Sequence, residues 1–440
     1  MPPLTQDPMT TPSGTRLPRL LAITLLTGIG AGLGGMILAL ILHFVQHVAY
    51  GYSIGAVISQ ESFLQGVSES PPMRRVLVLI GCGLVAGVGW WVLYRYGRPL
   101  VSIRKAVRTP EEPMPLPETL CHTLLQIVTV GLGSPLGREV APREAGAALA
   151  GWLSSRAGLA VEESRIIVAC GAGAGLAAVY NVPLGGALFI LEVLLGTFRL
   201  SAALPAIATS VIAALVAWIG LGDEVQYPVM AFAISPSLVV WSIATGPIFG
   251  VAAYGFMRMA ATISAMAPQN WRLLPACLLA FTFIGLLATG FPQLLGNGKG
   301  PIQLGFANDL PIGLAATLLL LRLAVTMGAL RAGAHGGLLT PSMTIGALLA
   351  TVIGGLWTLA WPGDPSGAFA IIGATAFLAS SMKMPLTAIA LIVEFTHVSH
   401  DFLYPIFFAV AGSIAASRLC DLFYSAVDRS AISRAATPGA

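Results

Sequence analysis

Six stretches of this chain run for about twenty residues or more with few or no charges: 20–48, 74–94, 198–220, 236–264, 272–291 and 311–331. A helix needs about 20 apolar residues to cross the hydrocarbon core of a bilayer. A soluble fold has no place to bury so many such segments. Charge supply agrees: 23 Lys and Arg plus 19 Asp and Glu make only 10% of 440 residues, while 56% are hydrophobic. Soluble chains carry about 25% charged residues, so this one cannot dress a water-facing surface. A soluble enzyme, a nucleic-acid binder and a disordered scaffold are excluded. Transport, channel function or chemistry within the membrane remain. The net charge of +4, without a basic tract, adds only an ordinary membrane-surface bias.

Between the long runs lie shorter apolar pieces at 119–131, 143–156, 164–180, 183–197, 341–361, 366–381, 385–396 and 402–418. Several are too short to cross a bilayer straight, and some begin at a proline. With 50 glycines and 30 prolines, the chain predicts an all-α polytopic membrane protein with broken and half-length helices. Irregular backbone at membrane depth is tolerated only where it lines a cavity or is buried in protein. Polar connectors at 51–72, 106–118, 221–234 and 292–310 are too short to be domains. The expected organisation is a polar leader, 1–19, and one transmembrane domain, 20–435. The last helix is expected to end near 418, with no soluble regulatory domain after it. The apolar run after Pro18 is too long for a signal-peptide core and is read as the first membrane helix.

The five cysteines are scattered without metal-type spacing and read as small buried hydrophobes. Arg16 and Arg19 precede the first run; Arg95, Arg98, Arg104, Lys105 and Arg108 follow the second. Arg418, Arg429 and Arg434 mark the C-terminal segment. The positive-inside rule then puts both termini and 95–108 on the cytoplasmic side.

The chain repeats itself. GAGAGLAAVYNVPLGGALFILE at 171–192 answers GATAFLASSMKMPLTAIALIVE at 373–394, at an offset of 202, with Pro183/Pro385, Leu184/Leu386 and Glu192/Glu394 coinciding. GREVAP at 137–142 pairs with GGLLTP at 336–341. The repeat halves span roughly 74–220 and 272–418. Sequence alone leaves open whether they are parallel or inverted, but either way the functional site belongs where they meet.

The most informative segment is Gly131-Leu-Gly-Ser-Pro-Leu-Gly-Arg-Glu-Val-Ala-Pro-Arg-Glu144, which leads into a helix at about Pro142. Glycines let backbone approach a ligand closely, and the N–H groups of a new helix form an anion site without a full positive charge. Gly336-Gly-Leu-Leu-Thr-Pro341 offers the same element in the second half. Glu139 lies inside the first element. A carboxylate there can occupy the anion site and leave when protonated, acting as a gate. The competing account is an internal salt bridge with Arg138 or Arg143. Glu192 and Glu394 read as structural, bonding backbone groups or a neighbouring helix. His43 and His47 could bind a metal, but no third ligand is apparent. His335, His397 and His400 are weak signals beside connectors. There is no HExxH, GxSxG or P-loop, so neither enzyme activity nor a cofactor is expected.

These residues resemble the CLC family of chloride channels and chloride/proton antiporters. GLGSPLGREVAP is similar to the family's Gly-Lys/Arg-Glu-Gly-Pro motif at Gly137, Arg138 and Glu139, and Gly337-Leu-Leu-Thr-Pro341 to its Gly-x-Phe-x-Pro motif. GLAAVYNVPLGGALFILEV (175–193) and KMPLTAIALIVEFT resemble its most recognisable run and its counterpart. Phe423-Tyr424-Ser425-Ala426 resembles the segment bearing the tyrosine whose hydroxyl contacts the central anion. The resemblance spans about 75–430. It implies an inverted repeat, a homodimer in a bacterial inner membrane and one pore per subunit. Glu139 is then the gate, and Arg138, Val140, Leu338, Leu339, Tyr424, Tyr96 and Gly97 the expected anion-binding positions.

The departures carry information. Tyr96-Gly97-Arg98-Pro99 stands where the family has Gly-Ser-Gly-Ile-Pro, so Tyr96 replaces the pore serine. GREVAP lacks the glycine after the glutamate, and Leu339 replaces the motif phenylalanine. Val193 follows Glu192 where antiporters commonly carry a second, proton-transferring glutamate. The expectation is gated chloride transport, channel-like or weakly proton-coupled, with fluoride and nitrate as further candidate anions. A fluoride-selective or proton-coupled exchanger is the runner-up, and a non-conducting scaffold or intramembrane enzyme ranks below it.

Overall fold

The computed structural model describes residues 16–53, 58, 61–223 and 225–435, with side chains between 17 and 424. Most of the expected leader, and the side chains of Ser425, Ala426, Arg429 and Arg434, lie outside the described residues. The described residues form seventeen α-helices: α1 (Arg16–Tyr50), α2 (Phe63–Glu69), α3 (Pro72–Tyr96), α4 (Ile103–Arg108), α5 (Leu116–Gly131), α6 (Val140–Ala157), α7 (Val161–Tyr180), α8 (Pro183–Leu188), α9 (Leu200–Leu221), α10 (Pro236–Ala265), α11 (Leu273–Gly290), α12 (Lys299–Phe306), α13 (Ile312–Ala332), α14 (Leu339–Trp357), α15 (Ser366–Met382), α16 (Pro385–Thr396) and α17 (Leu403–Ala435). A π-helical turn, Phe189–Leu195, continues α8.

Eight of these helices are long and apolar enough to cross a membrane. Their outward residues stay apolar: Leu204, Ile219, Leu279, Phe283 and Leu356 are all exposed, a surface that only lipid or another apolar face can cover. Two boundaries differ from the sequence expectation. α6 starts at Val140 and carries Pro142 in its first turn, where the missing N–H breaks no intrahelical bond. The last helix runs through 418 to Ala435, because no glycine or proline lies between 418 and Pro438.

The two halves repeat their packing. α1 lies against α9 as α10 lies against α17, and α6 against α7 as α14 against α15; α3 and α11 pack on each other. Two re-entrant loops come in from opposite ends. α5 finishes beside the end of α1, where the Tyr50 hydroxyl donates to the Leu132 carbonyl at 2.9 Å. α13 finishes at Gly333, beside Pro268 and Leu273 at the start of α11. That start lies along the C-terminal half of α3, with Leu274 against Gly87. One loop therefore enters from the end carrying 51–72 and the other from the end carrying 95–108, as an inverted repeat requires.

Glu192 and Glu394 lock this relation. Glu394 accepts from the Leu184 and Gly185 N–H groups at 2.8 and 2.7 Å, at the start of α8. Glu192 accepts from the Leu386 and Thr387 N–H groups at 3.0 and 2.7 Å, at the start of α16. Each carboxylate thus caps the helix start of the other half, where unpaired N–H groups and the positive dipole end favour an anion.

Candidate functional site

The re-entrant loops meet in one antiparallel bridge. Gly137 N–H donates to the Gly337 carbonyl at 2.7 Å, and Gly337 N–H to the Gly137 carbonyl at 2.8 Å. α6 and α14 start two or three residues later, so two helix N-termini converge on the bridge. A Cβ at either position would run into the Glu139 carboxylate and push it from this place. That carboxylate is fully buried. Its Oε1 accepts from the Leu339 N–H at 2.8 Å and its Oε2 from the Tyr180 hydroxyl at 3.4 Å. Glu139 therefore occupies the N-terminus of α14 as an anion would, and no ion pair joins it to Arg138 or Arg143 among the described residues. The guanidinium of Arg143 instead lies over the Phe189 ring, 5.0 Å from its centroid.

Hydroxyls surround this seat. Tyr180 is 3.1 Å from the Thr340 hydroxyl, and Asn297 Nδ2 reaches the same oxygen at 3.5 Å. Arg138 stacks its guanidinium 5.0 Å over the Tyr180 ring. It also lines a cavity of about 360 Å³ at the 51–72 end, whose walls include His43, Asn181, Asn297 and Lys299. The cations Arg138 and Lys299 and the acid Glu61 all line this cavity, and Arg138 is the chain neighbour of Glu139. The fully buried Arg322 fixes the loops behind it, donating to the carbonyls of Leu294 at 2.9 Å, Gly296 at 2.8 Å and Pro135 at 3.0 Å. Arg322 joins three loop carbonyls that would otherwise lack partners at membrane depth.

On the opposite side, the loop before α14 carries His335, whose Nε2 is hydrogen-bonded to the Tyr94 hydroxyl of α3. Its ring lies 5.2 Å from that of Trp90 and 5.2 Å from that of His122 on α5. His122 Nδ1 is 2.9 Å from Glu144 Oε2, and Gln126 Nε2 donates to that oxygen at 2.9 Å.

A family model described as "Voltage gated chloride channel" matches residues 82–418. The chain belongs to that family. It is 28% identical over 349 residues to a Citrobacter koseri protein named voltage-gated ClC-type chloride channel ClcB, covering 76% of this chain and 82% of the relative. It is 27% identical over 403 residues to a Cronobacter sakazakii H(+)/Cl(-) exchange transporter ClcA, covering 86% and 82%. Among solved structures it resembles a slow cyanobacterial Cl-/H+ antiporter with TM-score 0.79 at 20% identity, covering 92% of this chain and 95% of that one. A CLC-type fluoride/proton antiporter gives TM-score 0.66 at 20% identity, covering 92% and 97%. These likenesses show the shared fold.

Of the residues expected at a family anion site, the structure gathers Arg138, Glu139, Val140, Leu338 and Leu339 around the two helix starts. It does not bring the others. Tyr424 stands on the uninterrupted α17, 41% exposed, stacked on Tyr254 at 5.5 Å and beneath Arg258 at 4.4 Å. One continuous helix carries it on from 403, with no break ahead of it to turn it inward. Tyr96 is 74% exposed at the end of α3, and Gly97 caps that helix through its N–H to the Leu93 carbonyl. Arg98, next in line, is bound to Glu118 at 2.9 Å, and this hydrogen-bonded guanidinium holds the Glu118 carboxyl down to about 2. The hydroxyls that stand beside the Glu139 carboxylate are those of Tyr180 and Thr340. Tyr180 stands in the GLAAVYNVPL run, and a polar ring within an otherwise apolar repeat was the signal available for it.

Proposed function

We propose that this protein carries chloride or a similar small anion across the bacterial inner membrane, through one CLC-type pathway per subunit. Glu139 is the gate. The observation that carries the reading is the 2.8 Å hydrogen bond from the Leu339 N–H to the buried Glu139 carboxylate. A carboxylate on a helix N-terminus stands in for a bound anion, and protonation or displacement frees the N–H groups for one. Arg138, next to Glu139 in the chain, puts a positive charge on the wall of the cavity at the 51–72 end, which draws anions toward the seat. The 95–108 segment and both termini are assigned to the cytoplasm from the distribution of Arg and Lys. The cavity is then the extracytoplasmic entrance. The homodimer is carried over from the family resemblance.

With Val193 in place of the second glutamate, passive conduction or weak proton coupling is the leading mode. The test is chloride efflux from liposomes for the native protein, Glu139→Gln and Glu139→Ala. If neither flux nor its pH dependence changes, Glu139 is not the gate.

A fluoride-selective or proton-coupled exchanger is the second reading. Its motivation is the site's hydroxyl set, Tyr180 and Thr340 in place of a pore serine. A fluoride electrode beside a chloride electrode in the same efflux experiment separates the two.

A further inference from the structure

On the 95–108 side of the Gly137–Gly337 bridge stands a buried and half-buried set of polar and titratable side chains that the anion pathway does not use. Tyr94 comes from α3, His122 and Gln126 from α5, Glu144 from α6 and His335 from the re-entrant loop before α14. His122 is 5% exposed and Gln126 fully buried, yet His122 Nε2, Gln126 Oε1 and Trp90 Nε1 have no partner. Unpartnered polar atoms at such depth are costly, and a packing role alone does not explain them. The other ionisable neighbours are Cys277 of α11, facing Tyr94, and Arg143 of α6, near Glu144. Glu118, one turn earlier on α5, is taken by Arg98.

His335 is the member that lies on the bridge loop itself. It precedes Gly337 by two residues, a Cα separation of at most about 7 Å, and Gly337 abuts the Glu139 carboxylate. On its other flank Tyr94 and His335 are only half-buried, so the set reaches from the gate toward the 95–108 surface.

We propose that His335 is the inner proton carrier of this protein, exchanging a proton with Glu139 on one side and, beside Tyr94, with water at the 95–108 end on the other. It stands in for the carboxylate that Val193 lacks, and the proposal rests on Glu139 being the gate. The neutral ring, donating Nε2–H to the Tyr94 oxygen, leaves Nδ1 as the acceptor. The O–H bond of protonated Glu139 breaks as an N–H bond forms at Nδ1, through one or two bridging waters. The imidazolium then releases a proton to bulk water and returns neutral. His122, oriented by Glu144 and Gln126, packs against the His335 ring and holds it in place.

The experiment uses full-length protein in liposomes, with a chloride electrode outside and a pH-sensitive dye inside, under an imposed chloride gradient. The native protein is expected to move protons with chloride. His335→Gln is expected to lower the proton-to-chloride ratio at least tenfold while chloride still flows, and Val193→Glu in that background to restore proton movement. Proton movement that survives His335→Gln overturns the proposal, as does chloride flux without protons in the native protein, which leaves the gate reading intact. Native protein that moves no chloride overturns the proposed function and this inference together. If His335→Gln carries no chloride, Tyr94→Phe decides: a lowered ratio supports the carrier and an unchanged one overturns it.

Discussion

The carboxylate of Glu139 accepts a hydrogen bond from the backbone N–H of Leu339 at 2.8 Å, across 200 residues of sequence. One half of the repeat thereby places its only buried, loop-borne acid on the helix start of the other. Hydrogen bonds to charged groups contribute about 1.5–3 kcal/mol, enough to keep such a gate mostly seated. Glu139→Gln and Glu139→Ala are therefore expected to raise neutral-pH anion efflux by roughly tenfold or more and to flatten its pH dependence. Efflux from liposomes at acid and neutral pH reads both.

Tyr180 adds a second donor to that carboxylate and a contact to Thr340. Tyr180→Phe keeps the ring under Arg138 and removes only the hydroxyl. One such bond is worth about 1 kcal/mol, so the ratio of seated to open gate should fall about fivefold and neutral-pH efflux should rise up to about fivefold. An unchanged rate would mean that the hydroxyl does not hold the gate.

Arg138 edges the cavity before Glu139. Replacing it with glutamine should lower anion flux several-fold at low ionic strength. The deficit should shrink as salt is added, because the screening length falls from about 30 Å at 0.01 M to about 8 Å at 0.15 M. A deficit independent of salt would point to lost packing on Tyr180.

Arg322 donates to three loop carbonyls, on Pro135, Leu294 and Gly296. Lysine keeps the charge but loses the planar fork. Arg322→Lys is expected to cost about 2–3 kcal/mol, seen as earlier unfolding in a detergent titration. Equal stability would show that the fork is dispensable.

The paired caps predict a shared effect. Glu192→Gln and Glu394→Gln each weaken two backbone contacts at the start of the other half's helix. Each should cost about 1–2 kcal/mol, measured by the same titration. The sequence reading already gave these two acids a structural role, because repeat-matched carboxylates beside Pro-Leu helix starts are suited to capping.

Several features could not be read along the chain. The run 402–418 continues as one helix to Ala435, since no glycine or proline lies between 418 and Pro438, and that continuity leaves Tyr424 against Tyr254 and Arg258. His335 looked like a connector residue because its neighbours Tyr94 and His122 are more than 200 residues away in sequence. Tyr180 lies within the apolar repeat, and only the fold brings its hydroxyl to Glu139.

By itself the sequence determined the solvent. Too few charges and too many apolar runs leave a membrane as the only medium, and matched Gly-x-x-x-x-Pro elements mark where helices begin anew within it. Those are local properties, set by composition and by the backbone freedom of glycine and proline. The tertiary structure decided which helix start receives which side chain. Glu139 on Leu339, Glu192 on α16 and Glu394 on α8 all cross between the halves. In a medium without water each unpaired N–H must find an acceptor, and only the fold brings acceptors from 200 residues away.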